Sequence, residues 1–173
     1  ELVKLSGDKF HRKKNMVNAF ISNYNYEGRP LLKEYMKDAL AVLETWRQEK
    51  GEYGDYKAAK EALENMDLLQ LCGGIYYVDG KPAAYTLGEE LSGGETFVIH
   101  FEKAAGNYKG LYQFVNQSFA SILPEKYKYV NREQDLGDEG LRQAKMTYRP
   151  AAFVKKFKAA LSADILNRHD RLV

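Results

Sequence analysis

The spacing of apolar positions changes along this chain, and each change marks a different kind of element. From Lys9 to Tyr24 the residues Phe10, Val17, Phe20, Ile21 and Tyr24 fall near helical spacing, which predicts a helix. NYNYEGRP breaks that pattern, and Pro30 suits the first turn of a following helix. Leu32, Tyr35, Met36, Ala39, Leu40, Leu43 and Trp46 then form an amphipathic stripe. Asp55 is placed to cap a third helix carrying Tyr56, Ala59, Ala62, Leu63, Met66 and Leu69. Past residue 72 the period shortens. GGIYYVD, PAAYTLGEEL and ETFVIHFE are rich in β-branched and aromatic residues and are punctuated by Asp79-Gly80 and Gly93-Gly94. They predict a three-stranded antiparallel meander. In its third strand Phe97, Ile99 and Phe101 are expected on one face, and Val98, His100 and Glu102 on the other.

AAGNYKG follows as a glycine-bearing loop. Leu111, Tyr112, Val115, Phe119 and Ile122 predict a helix, and KYKYV a short strand. Residues 138–147 predict a further helix capped by Asp138, and AAFVKKFKAA a last strand. This order gives an α+β or α/β fold, a sheet covered by helices.

At 173 residues the chain is expected to form one domain, residues 1–173, with enough length for a real core. A net charge of +2 gives no global signature of polyanion binding, so any nucleic-acid or anionic-lipid contact needs a local patch. Cys72 is the only cysteine, which excludes an internal disulfide and fits a reducing, cytoplasmic setting. No run of 18 apolar residues exists to span a membrane, and no secretory signal opens the chain. Because the first residue is Glu1 rather than Met, the sequence reads as a processed or excised piece.

Candidate chemistry gathers in four places. Lys9, Arg12, Lys13 and Lys14 crowd the start of the first helix, where cations oppose the helix dipole. They read either as a solvated basic face or as a nucleic-acid or phosphate patch. His100 and Glu102 offer an imidazole beside a carboxylate, fit for acid–base work or for a satisfied polar pair. Lys103, Gly106, Asn107, Tyr108 and Gly110 join a strand to a helix, a geometry that suits a phosphate, although GxxxxGK[ST] is absent. In NREQDLGDEGLRQAKMTYRP the residues Asn131, Glu133, Asp135, Arg142, Lys145 and Tyr148 follow a strand end, where functional side chains collect. Glu139, Arg142 and Lys145 equally suit an ion network on a helix surface. The three histidines (His11, His100 and His169) are far apart, HExxH and GxSxG are absent, and no local zinc pattern exists. Asn116-Gln-Ser matches a glycosylation acceptor, read here as chance within a helix.

Together LSGDKFHRKKNMVNAF, YYVDGKPAAYTLGE, VIHFEKA and VNREQDLGDEGLRQAKMTYRP resemble a bacterial family of largely uncharacterised proteins. It is grouped with the C-terminal domain of phosphatidylglycerol lysyltransferase in the GNAT N-acetyltransferase superfamily. The resemblance implies a mixed, mostly antiparallel sheet whose fourth strand splays from the fifth, with an acyl donor in the gap. ETFVIHFE would be the fourth strand and KYKYVN the fifth. The loop from Lys103 to Gly110 would face the donor's phosphates, although Tyr108 stands where the usual acetyl-CoA loop has Gly or Ala. Relatives take an aminoacyl group from charged tRNA and commonly carry two tandem domains, of which this would be the C-terminal one.

The implied reaction is aminoacyl transfer to an amine or hydroxyl acceptor, with aminoacyl-tRNA as donor and no tightly bound cofactor. Contact with the inner face of a membrane would go with it. By their chemistry and position, and not from the resemblance, Glu133 or Asp135 would be the base, Tyr148 a proton donor and His100 a further acid–base group. Glu102, Asn131, Arg142 and Lys145 would bind substrate. The alternatives are an acetyl-CoA-dependent N-acetyltransferase and a noncatalytic module binding an anionic ligand.

Overall fold

The computed structural model describes residues 1–51, 54–91, 93–157 and 159. His169 lies outside them. A short 3-10 turn, Asp8–Phe10, leads into α1 (His11–Asn23), which is followed by β1 (Tyr26–Pro30). A second 3-10 turn, Lys33–Tyr35, opens α2 (Met36–Lys50), and α3 (Tyr56–Glu64) comes next. The strands β2 (Cys72–Val78), β3 (Lys81–Glu90) and β4 (Thr96–Ala104) follow in succession. The chain then forms α4 (Leu111–Ile122), β5 (Tyr129–Asn131) and α5 (Glu139–Met146).

The five strands form one sheet in sequence order, antiparallel from β1 to β4 and parallel between β4 and β5. A parallel neighbour requires a crossover, and α4 supplies it. Val17 and Phe20 of α1 and Phe114, Val115 and Phe119 of α4 bury one face of the sheet with Phe97 and Ile99. Val42 and Leu43 of α2 and Ala59 and Leu63 of α3 bury the other with Ile75, Tyr85 and Leu87. Among the described residues no helix is long and apolar enough to cross a membrane.

Several sequence expectations change. NYNYEGRP contains β1, an edge strand whose side chains are mostly exposed and so carry no apolar alternation. Pro30 ends that strand rather than starting a helix, at an edge where its missing N–H is tolerated. The third helix stops at Glu64, short of Leu69. Asp55 precedes it without a side-chain capping bond, because its carboxylate is bound to Lys103 Nζ at 2.5 Å. No strand forms over residues 151–157 of AAFVKKFKAA, and positions 158 and 160 lie outside the described residues. Asp138 does cap α5, accepting from Leu141 N at 2.8 Å.

The expected two faces of β4 are broken by a bulge. Leu87 pairs with Phe101 and the next residue, Gly88, pairs with Ile99, so His100 has no partner on β3. Phe97 and Ile99 therefore face α1 and α4, whereas Phe101 packs with the α2–α3 cluster. Glu102 returns to the α4 face, where Asn116 Nδ2 donates to it at 3.1 Å.

Candidate functional site

The parallel pairing of β4 and β5 covers only Thr96–Val98 against Tyr129–Asn131. β4 continues to Ala104 while β5 ends, so a gap opens beyond Val98. The segment after β5 turns sharply there. Glu133 takes φ 58°, a left-handed conformation that costs a side-chain-bearing residue about 1 kcal/mol or more, and its N–H donates to Asn131 Oδ1 at 2.9 Å.

Two polar groups fill this end of the sheet. In the first, His100 lies between two carboxylates: Nδ1 is 3.2 Å from Glu133 Oε1 and Nε2 is 2.9 Å from Glu89 Oε1. Lys156 binds the other oxygen of Glu133. Burial pushes the Glu133 carboxyl upward, but Lys156 and His100 outweigh it and hold the group below its ordinary range. In the second, Asn116 and Arg132 grip Glu102 from two sides, Arg132 Nη2 at 3.0 Å from Oε1. The Arg132 guanidinium lies 5.0 Å from the centre of the Tyr148 ring, and Lys13 Nζ 4.2 Å from the same centre. Burial raises the Tyr148 hydroxyl to about 12. It lowers Lys13, with Arg132 and Arg12 adding repulsion. Asn116 is 1% exposed, which leaves no room for a glycan in the folded chain, and its Oδ1 is buried without a hydrogen-bond partner among the described residues.

The remaining residues of the 131–150 stretch hold its backbone. Lys145 Nζ donates to the carbonyls of Arg132, Glu133 and Gln134 at 2.6, 3.2 and 2.6 Å. Asp135 accepts Arg142 Nε at 2.6 Å and Gly137 N at 3.0 Å, and the Arg142 bond leads in holding its pKa down to about 2. Arg142 therefore reaches back past Glu139 to Asp135, and Lys145 reaches main-chain oxygens, so the expected helix-surface network of these three does not form.

The strand-to-helix loop is occupied by the protein itself. Gly106 N donates to Glu49 Oε1 at 2.9 Å, and Glu49, Lys50, Gly106 and Asn107 line a shallow cavity of about 370 Å3. Lys103 is buried beneath Trp46, 3.9 Å from the ring centre, and bound to Asp55 on the α2–α3 face. Burial lowers its pKa, and Asp55 opposes that shift. Tyr108 packs edge-on to Tyr24 with ring centres 5.3 Å apart. At Gly110 (φ 88°) an added Cβ would meet Met16 O at 2.2 Å, so glycine lets α4 approach α1. Of the basic patch, Lys9 pairs with Glu1 at 2.8 Å, Arg12 and Lys14 are exposed, and Lys13 reaches the gap.

The structure thus brings His100, Glu133, Asn131, Glu102, Tyr148 and Lys13 to one end of the sheet. Asn116, Arg132, Glu89 and Lys156 belong there too and were missed by sequence reasoning. Asn116 alone carried a signal, as an amide on the core-facing side of an apolar helix, four residues after Tyr112 and three before Phe119.

Known proteins share the family and the fold. Residues 1–160 match the family described as phosphatidylglycerol lysyltransferase, C-terminal. This chain belongs to that family. A conserved protein of unknown function from Bacteroides thetaiotaomicron VPI-5482 is 39% identical, with TM-score 0.80 over 87% of this chain and 53% of its own. An uncharacterised protein from Mycoplasmoides gallisepticum is 23% identical over 91% of this chain and 52% of its own length. The chain therefore spans about half the length of these relatives. A possible acetyltransferase from Clostridium difficile 630 shares the fold, with TM-score 0.57 at 14% identity over 79% of this chain and 97% of its own. The family member is thus an acyltransferase-like domain with a GNAT-like α+β fold.

Proposed function

We propose that this domain takes part in aminoacyl transfer from charged tRNA to an amine or hydroxyl acceptor, rather than acetyl transfer from acetyl-CoA. The observation that carries the reading is Glu49 on Gly106 N at 2.9 Å. A carboxylate stands on the backbone donor that a pyrophosphate would need, and Lys103 is spent on Asp55. A second anion at that loop would meet repulsion instead of a cradle.

The gap beyond β5 suits an amine. Glu89 and Glu133 flank His100 and would attract an ammonium group, while the imidazole takes the proton that attack releases. In the proposed reaction His100 is neutral, with Nδ1–H held by Glu133, and its Nε2 turns from Glu89 to the acceptor; the acceptor nitrogen or oxygen bonds to the ester carbon and its proton passes to Nε2. The ester C–O bond then breaks, and the departing ribose oxygen takes a proton from Tyr148. Asp135, held by Arg142, shapes the turn that carries Glu133 instead of acting as the base. The name of the family and the double length of the relatives support placing this unit as one half of a tandem protein that works at the inner face of a membrane.

The test has two arms. Thermal unfolding with acetyl-CoA in excess is expected to show no rise; a ligand at 100 times its Kd would add about 2.7 kcal/mol, or roughly 5–10 °C at this size. A rise of that order moves the domain to acetyl transfer. Incubation with radiolabelled aminoacyl-tRNAs and a membrane-lipid extract is expected to move label into an acid-stable product, and to stop doing so in His100→Ala. Label that stays on tRNA in this arm refutes the aminoacyl reading.

A further inference from the structure

We infer that Lys13, Arg132 and Tyr148 form a phosphate subsite at the mouth of the β4–β5 gap. Their side chains come from α1, from the residue after β5, and from the end of the α5 segment, so only the folded chain unites them. Two cations share one ring: Lys13 Nζ at 4.2 Å and the Arg132 guanidinium at 5.0 Å from its centre. Like charges this near are costly unless an anion joins them. Glu102 answers only Arg132, through Nη2. Among the described residues no carboxylate pairs with Lys13 and no group hydrogen-bonds the Tyr148 hydroxyl. An ammonium and the unused N–H groups of a guanidinium therefore remain as donors beside one ring, with the phenol O–H at its edge.

The guanidinium is fixed from behind. Asn116, buried in α4, holds Glu102, and Glu102 holds Arg132. A cation clamped on its inner side and open on its outer side is preorganised for an oxyanion. Burial and mutual repulsion both press on the Lys13 charge, and a phosphate would relieve that repulsion. The subsite is distinct from the strand-to-helix loop, where Glu49 is seated. It accepts a phosphate monoester or diester, and it does not depend on which group the domain transfers.

Amide NMR titrations of the whole chain at fixed ionic strength test the assignment. Glycerol 3-phosphate serves as monoester, dimethyl phosphate as diester and sodium chloride as control. Saturable shifts at residues 13, 132 and 148 with either ester are expected, and the tighter ester identifies the class. Lys13→Gln should weaken binding about tenfold or more, the loss of one charge-assisted bond. Lys13→Arg should retain binding, and Tyr148→Phe should weaken it about threefold. Lys57→Gln on α3 should leave it unchanged. Lys13 has no carboxylate partner to abandon, so these variants keep the fold, which unchanged melting without ligand verifies. Chloride matching the esters, or Lys13→Gln binding as the parent does, overturns the subsite. Neither result touches the transfer assay, so the two readings fail separately.

Discussion

The two ends of β4 solve the same problem in opposite ways. At its start Thr96, Phe97 and Val98 pair with β5, and the Phe97 ring sits 5.5 Å from both Phe119 and Tyr127. Backbone pairing satisfies the main chain, and apolar burial does the rest. Further along, β5 is gone, and His100, Glu102 and Lys103 are each held by a side chain of opposite character. Buried polar groups there cost free energy unless they find partners, and all of these but Glu89, on the adjoining strand β3, come from distant segments. The paired end keeps the sheet closed, while the splayed end keeps a polar gap in a defined shape.

Truncation of the paired end should have the largest effect. Phe97→Ala is expected to cost about 4 kcal/mol, since it opens a cavity between the sheet and α4. Urea unfolding reads this as a fall in midpoint at unchanged slope. A cost under about 1 kcal/mol would mean the two ends are not as different as the packing says.

At the splayed end Arg132→Ala should cost about 3 kcal/mol, because it leaves Glu102 nearly buried with only Asn116 beside it. Replacing both partners, Arg132→Leu with Glu102→Leu, should recover most of that loss, since no unpaired charge remains. This pairwise recovery separates the ends: no second substitution repairs Phe97→Ala in the same manner. If the double variant is as unstable as the single one, Arg132 contributes through packing on Tyr148 and not through its charge.

The same contrast explains what the sequence reveals. α2, α4 and the meander from β2 to β4 are legible because buried faces impose a period. β1 is not, since YEGRP lies on an edge and buries almost nothing, its place being set by pairing with β2. The bulge at His100 adds one residue to a strand whose composition stays apolar, so Phe101 changes face without a sequence mark. Among site residues, Glu133 and Tyr148 are legible as polar groups after a strand end. The partners Glu89, Arg132 and Lys156 are not: Glu89 reaches His100 only across the bulged strand pair, and Arg132 meets Glu102, 30 positions away, only once α4 has crossed from β4 to β5. Asp55 shows the converse: a local cap signature is overruled by Lys103, 48 positions away.

The smallest expected effect sharpens the comparison through pH. Asp135 is half-buried, and Arg142 and the Gly137 N–H hold its pKa at about 2 against an ordinary value of about 3.9. A carboxyl depressed by folding contributes stability that is fully present above its unfolded pKa and is lost as pH falls through the folded one, so the window runs from about pH 4 down to about pH 2. Arg142→Gln removes the main cause, so it should lower the melting temperature by a small amount at pH 6 and converge on the parent by pH 2, which flattens the fall across that window. Glu44, held at about 2 chiefly by Arg47 on α2, keeps part of the acid sensitivity in the variant and serves as an internal reference. Phe97→Ala, acting through apolar contacts, should lower the whole curve without changing its slope with pH. Melting curves of the three proteins at pH 6, 4, 3 and 2 decide the matter. Parallel curves for the parent and Arg142→Gln would show that the Asp135 pairing does not persist in solution, and the turn that carries Glu133 would then rest on Lys145 and its three carbonyls.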